Sequence, residues 1–158
     1  MEEKREIKQE KIYDENGKLK YVVIPNYTKT DYFMSKSEIK FYRVLILAIT
    51  EIREKYKLRL EIFPQVAINR LIKQNNRREK DLEKDLFAKS IDFVLYNKEK
   101  EDIHCCIELD GPEHKTNPDR IQRDIVIDNM FNNNIRLIRQ DVCESYDINN
   151  LIDNIMKK

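Results

Sequence analysis

Short apolar runs alternate with polar connections along the middle of this chain. Two runs rich in β-branched and aromatic residues, Ile91–Tyr96 and Ile103–Leu109, flank the charged segment Asn97–Asp102. Strand-forming residues on both sides of a short polar connection are typical of a β-hairpin. Upstream, apolar positions at helical spacing predict a helix that begins at Ser35 or Ser37, and either serine fits as its capping residue.

The other elements complete a mixed series of strands and helices. In chain order they are a solvated tail over Met1–Glu10, a hairpin over Lys11–Val23 with Asn16-Gly17 at its turn, a linker over Pro25–Tyr32, a strand over Leu58–Ile68 with an irregularity at Pro64, a helix over Pro118–Asn133, a strand over Ile135–Arg139 and a helix over Ile148–Met156 with Asp147 as a candidate cap. The polar segment Asn69–Lys89 fits either a helix from about Arg78 or a loop. The strand–helix–strand step after Ile103 predicts two parallel strands and therefore an α/β fold. We expect a tail and hairpin over residues 1–34 and the main domain over residues 35–158.

Composition excludes several classes of protein. The 158 residues carry 30 basic and 29 acidic side chains, so no overall positive field favours nucleic acid, although a local basic face is compatible with it. The chain has no run of 18 apolar residues and no signal peptide, which predicts a cytoplasmic protein without a membrane partner. Its three cysteines form no disulfide framework, and Cys105 and Cys106 are predicted to be buried thiols on opposite strand faces. Since there are only two histidines, we expect no zinc site.

Three acids interrupt the predicted central hairpin. Asp92 lies in its first strand, and Glu108 and Asp110 lie at the end of its second strand. Because side chains on a strand alternate between two faces, Glu108 and Asp110 are predicted to point the same way. Carboxylates gathered on an apolar sheet repel one another and are costly to desolvate unless a cation compensates them. The pattern therefore indicates a divalent-metal site.

Polar residues in other elements are candidates for a site around these acids. Glu38 fits a capping role and a functional role equally well. Gln65 lies in an otherwise apolar strand and is a candidate substrate contact. Lys89 ends a basic segment that either forms a solvated face or contacts phosphates. Arg120 and Arg123 lie in the first half of the helix after the hairpin.

A family resemblance is carried by segments between Ser35 and Gln140: SKSEIKFY, FPQV, IDFVLY, IELDGPEH, and QRD followed by IRLIR. Together they resemble the restriction-endonuclease-like (PD-(D/E)xK) nuclease superfamily, and more narrowly a bacterial group related to very-short-patch-repair endonucleases. The resemblance implies a restriction-endonuclease-like core, with a central mixed β-sheet flanked by helices, in a metal-dependent endonuclease of a bacterium or phage. It implies Mg²⁺ or Mn²⁺ as the cofactor and nucleic acid as the substrate, with DNA as the first candidate. A homodimer or larger complex is compatible with it.

The resemblance also implies roles for individual residues. Asp92 and Glu108 would hold the metal ion, since Mg²⁺ prefers hard carboxylate oxygens. Glu38 would help to hold it through a water molecule. Arg120 or Arg123 would stabilise the negative charge that develops on the phosphate.

The chain departs from the superfamily pattern at Asp110, where most members carry a lysine that orients or activates the attacking water. Three replacements are open. His114 could act as a general acid or base, although a plain loop-capping role fits it as well. Lys40 or Lys89 could reach in from another element. Alternatively, Asp110 itself could be a third metal ligand.

Two other functions stay open at this point. One is a nuclease-fold module without catalytic activity that binds nucleic acid or a protein partner, which the missing lysine favours. The other is a metal-dependent hydrolase that acts on a different substrate. The absence of a His-rich ligand set from the sequence makes this last function the weakest of the three.

Overall fold

The computed structural model describes residues 8–24, 28–73, 89–112 and 117–157, and it divides into two compact units, Met1–Phe33 and Met34–Lys158. The first unit contains an antiparallel hairpin of β1 (Lys8–Tyr13) and β2 (Leu19–Ile24), which confirms the predicted N-terminal hairpin. Gly17 lies in its turn with a φ of 75°, a conformation that glycine adopts without steric cost. β1 begins at Lys8 because this residue already pairs with Ile24, so the predicted solvated tail is wrong from Lys8 onward. The rest of that tail, and residues 25–27 of the predicted linker, lie outside the described residues.

The second unit is an α/β domain built on a mixed sheet. Its elements are α1 (Lys36–Tyr56), β3 (Leu60–Ala67) with a short 3-10 turn at Ile68–Arg70, β4 (Ser90–Asn97), β5 (Asp102–Asp110), α2 (Pro118–Phe131), β6 (Leu137–Asp141) and α3 (Ile148–Met156). The strand order is β3-β4-β5-β6. β3, β4 and β5 pair with one another in antiparallel fashion, and β6 pairs with β5 in parallel. The central hairpin and the parallel strand pair are therefore confirmed.

Local sequence signals set the ends of the helices. Ser35 caps α1 in a capping box, in which its Oγ accepts a hydrogen bond from the N–H of Glu38 and the Glu38 carboxylate accepts one from the N–H of Ser35. α2 starts with Pro118 at its first position, and it ends where Asn133 adopts a left-handed φ of 65°. Asp147 caps α3 through a 3.1 Å hydrogen bond from the N–H of Asn150. These helix ends agree with the sequence to within two residues.

The sheet is covered on both faces. α1 and α3 pack against one face, where their apolar stripes meet Phe93, Leu95 and Ile107. α2 packs against the other face through Ile127 and Phe131. The middle strands β4 and β5 are consequently buried on two sides, which explains why both are nearly continuous apolar runs.

Adjacent cysteines on β5 contribute to both cores. Cys105 belongs to the core under α1 and α3, and Cys106 belongs to the core under α2. All three cysteines are free thiols. Burial raises the pKa of the Cys105 thiol to about 11, and the pKa of Cys106 is raised further by burial and by the neighbouring Cys105. The predicted buried thiols on opposite faces are confirmed, and neither thiol ionises near neutral pH.

Two predicted strands have different bounds in the structure. β3 covers Leu60–Ala67 rather than Leu58–Ile68, because Ile68 belongs to the 3-10 turn. The last strand covers Leu137–Asp141 rather than Ile135–Arg139, because the N–H of Ile135 still bonds to the carbonyl of Phe131 at the end of α2. In the polar segment before β4, residues 74–88 lie outside the described residues, and so does the choice between helix and loop made there. None of the helices described here has the length and apolar character needed to cross a membrane.

Candidate functional site

A cavity of about 420 Å³ opens where β4 begins and β5 ends. The first turn of α1 and the middle of α2 form its other walls. The lining residues are Ser35, Ser37, Glu38, Lys89, Ser90, Asp92, Glu108, Leu109, Gly111, Arg123, Ile127 and Val142. The antiparallel hairpin brings the start of one strand beside the end of the next, so acids 16 positions apart in sequence meet in this wall.

Two carboxyl groups form the centre of this wall. Phe93 pairs with Ile107, so the next positions outward are Asp92 and Glu108. Asp92 Oδ2 accepts a 2.8 Å hydrogen bond from the N–H of Leu109. Glu108 is only 8 % exposed. Burial, the charge of Asp92 and a hydrogen bond with Asp92 raise the pKa of Glu108 from 4.5 to about 9, against an opposing effect of Arg139.

Glu108 therefore holds a proton at neutral pH, because burial and the neighbouring Asp92 disfavour an anion at this position. Asp92 is only partly buried, and it accepts hydrogen bonds from Gln65 Nε2 and from the N–H of Leu109. A pair of this kind can take up a cation in exchange for the proton on Glu108.

Gln65 faces Asp92 from the neighbouring strand. The β3–β4 pairs Pro64–Phe93 and Val66–Ile91 bracket these two residues, and the ladder is interrupted between them. Gln65 has a φ of 54°, so the irregularity predicted at Pro64 lies one residue later. A left-handed backbone at a residue with a Cβ costs about 1–3 kcal/mol. Gln65 Nε2 donates to Asp92 Oδ1 at 3.4 Å, and Gln65 Oε1 accepts from Ser90 Oγ at 2.7 Å.

Basic side chains also reach the cavity. Lys89 lines it, and the Lys89 carbonyl accepts a 2.9 Å hydrogen bond from the N–H of Ile68, which fixes the backbone there. Arg123 lines it from α2, with Nη2 at 3.6 Å from Asp124 Oδ1. The buried Nε of Arg123 finds no hydrogen-bond partner in the described part of the chain. Since Arg123 lines the cavity, its guanidinium places a positive charge in the wall, which is suited to an anion.

Asp110 takes part in a different arrangement. Its Oδ1 lies 3.0 Å from Nη1 of Arg139 on β6, and it is not among the described residues that line the cavity. Arg139 also lies 3.4 Å from Asp124 Oδ1 and 2.8 Å from Asp128 Oδ1. This arginine thus connects the end of β5 to α2. The structure brings Asp92 and Glu108 together, while Asp110 pairs with Arg139.

The remaining predicted site residues fall into three groups. Glu38 lines the cavity and also completes the capping box of α1, so both roles considered for it are compatible with its position. Lys40 and Arg120 are not among the described residues that line the cavity. His114 lies outside the described residues, so its role stays a prediction. Within the ranges that the structure describes, no group of three or more His, Cys, Asp or Glu is arranged to hold a metal ion.

Sequence reasoning missed two residues that shape the site. Ser90 precedes Asp92 by two positions on the same strand, so alternation alone could have placed both on one face. Arg139 pairs in parallel register with Glu108, and its signal was a charged residue inside an apolar strand. Both were visible in the sequence as polar residues in strand positions that normally hold apolar ones.

Comparison with known protein families assigns the residues that line this cavity to one family. Residues 30–158 match the family described as "Protein of unknown function (DUF2726)". The chain belongs to the DUF2726 family. No curated protein and no solved structure matches it significantly. Since the match spans Ser35 to Val142, every described lining residue is part of the DUF2726 region.

Proposed function

We propose that this DUF2726 protein is a metal-dependent nuclease with a restriction-endonuclease-like fold. It hydrolyses phosphodiester bonds in nucleic acid, and DNA is the first candidate substrate. One observation carries the proposal: Asp92 and Glu108 meet in the wall of a cavity that Lys89 and Arg123 also line. Paired carboxylates suit a divalent cation, and nearby basic groups suit a phosphate. The two kinds of group at one cavity are what hydrolysis of a phosphate ester requires.

The carboxyl pair fits Mg²⁺ or Mn²⁺. Mg²⁺ is commonly held by only one or two carboxylates, with waters and substrate phosphate completing its shell, so a third protein acid is not needed. Burial and the neighbouring Asp92 charge raise the pKa of Glu108, so an anion at this position is unfavourable without a cation. Asp92 and Glu108 would hold the ion, and Glu38, which also lines the cavity, would assist through a water molecule. When bound, the ion would supply an acidified water and neutralise charge on the phosphate.

The protein's own groups have distinct tasks in this proposal. Arg123 and Lys89, which both line the cavity, bind and orient the phosphate. Glu108 must give up its proton before both of its oxygens can act as anionic ligands. The N–H of Leu109 keeps one Asp92 oxygen fixed during these steps. Each task uses a contact or a position described above.

The resemblance stated from the sequence supports the same function. An Asp on one strand and a Glu on the next, across an antiparallel hairpin that is followed by a helix, resemble the arrangement expected for the superfamily. The position where a lysine is expected holds Asp110, which is paired with Arg139. Lys89 is a lysine in the cavity wall and is therefore the first candidate for the missing basic group. Its ammonium would orient the attacking water.

A second function is favoured by one specific observation. Asp110 forms an ion pair with Arg139 in place of the expected catalytic lysine, and such a pair would suit a fold that keeps its shape without chemistry. In that case the protein is a nuclease-fold module that binds nucleic acid or a protein partner. The metal dependence of cleavage separates the two functions.

The deciding experiment incubates the full chain with plasmid, linear and single-stranded DNA and with RNA, at increasing Mg²⁺ or Mn²⁺. We expect cleavage that depends on the metal and disappears with excess chelator. Asp92→Asn should abolish it, whereas Asp102→Asn, which removes the same charge at the far end of β5, should not. Binding of nucleic acid without cleavage at any metal concentration would favour the binding module and refute the nuclease.

A further inference from the structure

We propose that Gln65 is a positioning residue, which holds the Asp92 carboxylate in the orientation that binds the metal ion. This inference rests on the proposed function and assigns Gln65 a role different from the substrate contact predicted from the sequence. Gln65 is not among the described residues that line the cavity. It acts on the site through Asp92.

The backbone of Gln65 is the first observation behind this assignment. Its φ of 54° lies in the left-handed region, which a glutamine enters at an energetic cost. Residues kept in such conformations cluster at functional sites, where the surrounding structure maintains the strain. Here both neighbours, Pro64 and Val66, remain paired with β4, so the strained residue is held from both sides. This left-handed backbone conformation places Gln65 opposite Asp92.

The carboxamide supplies the second observation. Ser90 Oγ donates to Gln65 Oε1 at 2.7 Å, and the acceptor oxygen of Asp92 on the other side requires the donor end of the amide. The amide nitrogen must then face Asp92, and it donates to Asp92 Oδ1 at 3.4 Å. Both ends of the Gln65 side chain are used within the protein. A substrate contact by the same amide would have to break this chain of hydrogen bonds.

Asp92 is held from two strands as a result. Oδ1 accepts from Gln65 on β3, and Oδ2 accepts from the N–H of Leu109 on β5. A carboxylate oxygen has two lone pairs, so these two hydrogen bonds leave room for a cation once it displaces the proton with which Glu108 hydrogen-bonds to Asp92. Partners that orient a ligating carboxylate in this way typically contribute 10–100-fold to metal affinity. At 3.4 Å the Gln65 contact is long, so we expect the lower end of this range.

The test measures Mn²⁺ affinity by calorimetry, with no substrate present. Gln65→Met keeps the length of the side chain but cannot donate a hydrogen bond, and it should weaken Mn²⁺ binding roughly tenfold. Ser90→Ala should weaken it less, because it only releases the amide, and Ser90→Thr should retain the parental affinity. Gln140→Met is the matched control, since it makes the same change on β6 at a glutamine that bonds to the Asp141 carbonyl. It should bind Mn²⁺ as the parent does.

A second variant separates positioning from a purely structural role. Gln65→Gly removes the side chain and also relieves the left-handed backbone, so Tm should stay unchanged or rise by roughly 2–4 °C. Its Mn²⁺ affinity should nevertheless fall as in Gln65→Met. A lower Tm together with weaker binding would overturn the inference, and so would parental affinity in Gln65→Met. If the parent itself binds no Mn²⁺, the proposed function fails and this inference fails with it.

Discussion

The buried carboxyl of Glu108 gives a direct test of the site through the pH dependence of stability. Glu108 is 8 % exposed, and burial and the Asp92 charge raise its pKa from 4.5 to about 9 in the folded protein. The folded protein therefore binds this proton more tightly than the unfolded chain does. The stabilisation is complete below about pH 4.5 and is lost as the pH rises through about 9. Glu108→Gln cannot titrate, so it should avoid this loss.

The size of the effect follows from one proton. A single group changes the free energy of unfolding by at most about 1.4 kcal/mol per pH unit between its two pKa values. Because water reaches the partly buried Asp92 and screens its repulsion of Glu108, we expect a smaller net gain, on the order of 1–3 kcal/mol for Glu108→Gln between pH 5.5 and 8.5. For a chain of 158 residues this corresponds to roughly 2–4 °C in Tm per kcal/mol.

The assay is urea and thermal unfolding in chelator at pH 5.5, 7.0 and 8.5. The control is Glu54→Gln, which removes one charge from the exposed side of α1 and should track the parent at every pH. If the free energy of unfolding of Glu108→Gln differed from that of the parent by the same amount at all three pH values, Glu108 would not hold the proton. Added Mn²⁺ should then stabilise the parent more than Glu108→Gln, since it replaces that proton.

Three further predictions concern the residues around the carboxyl pair. Lys89→Gln or Arg123→Gln should lower DNA affinity, measured by fluorescence anisotropy. The slope of the logarithm of the association constant against the logarithm of salt concentration should fall in magnitude by about 0.9 per lost phosphate contact. An equal loss of affinity and slope in Lys100→Gln, in the β4–β5 turn, would contradict this. Arg139→Met removes the arginine that pairs with Asp110, Asp124 and Asp128, and it should lower the free energy of unfolding by about 2 kcal/mol. Arg59→Met, at an exposed 4.0 Å pair, should change it little. Similar urea midpoints for the two variants would refute the connecting role of Arg139. His114→Gln should reduce turnover roughly a hundredfold with unchanged Mn²⁺ affinity if His114 transfers a proton, and parental cleavage rates would remove that role.

The sequence predicted most of the elements because their signals are local. The closing helix Ile148–Met156 and its Asp147 cap agree residue by residue, since a short amphipathic pattern and one capping side chain determine both. The central hairpin agrees to within one residue at each strand end. The two acids of the site were found in the same way, as charged residues in strands that are otherwise apolar.

The contacts of the site could not be predicted because they depend on distant pairing. Strand alternation places Asp110 on the same face as Glu108, but it does not say that Arg139 on another strand will bind it. The position of Gln65 depends on the β3–β4 register and on a left-handed backbone angle, neither of which has a local signal at a glutamine. Side-chain partners across strands are fixed by the assembled sheet.

The capping box of α1 links the first turn of a long helix to the contents of the cavity. Glu38 lines that cavity while its carboxylate accepts the hydrogen bond from the Ser35 N–H. A cation that draws this carboxylate inward removes a cap whose hydrogen bond is worth about 0.5–1.5 kcal/mol. Cation binding in the cavity would then be detected as faster amide hydrogen exchange at the start of α1, with unchanged exchange at the other end of the helix. Amide exchange in the first turn of α1 would therefore report whether a cation is bound in the cavity.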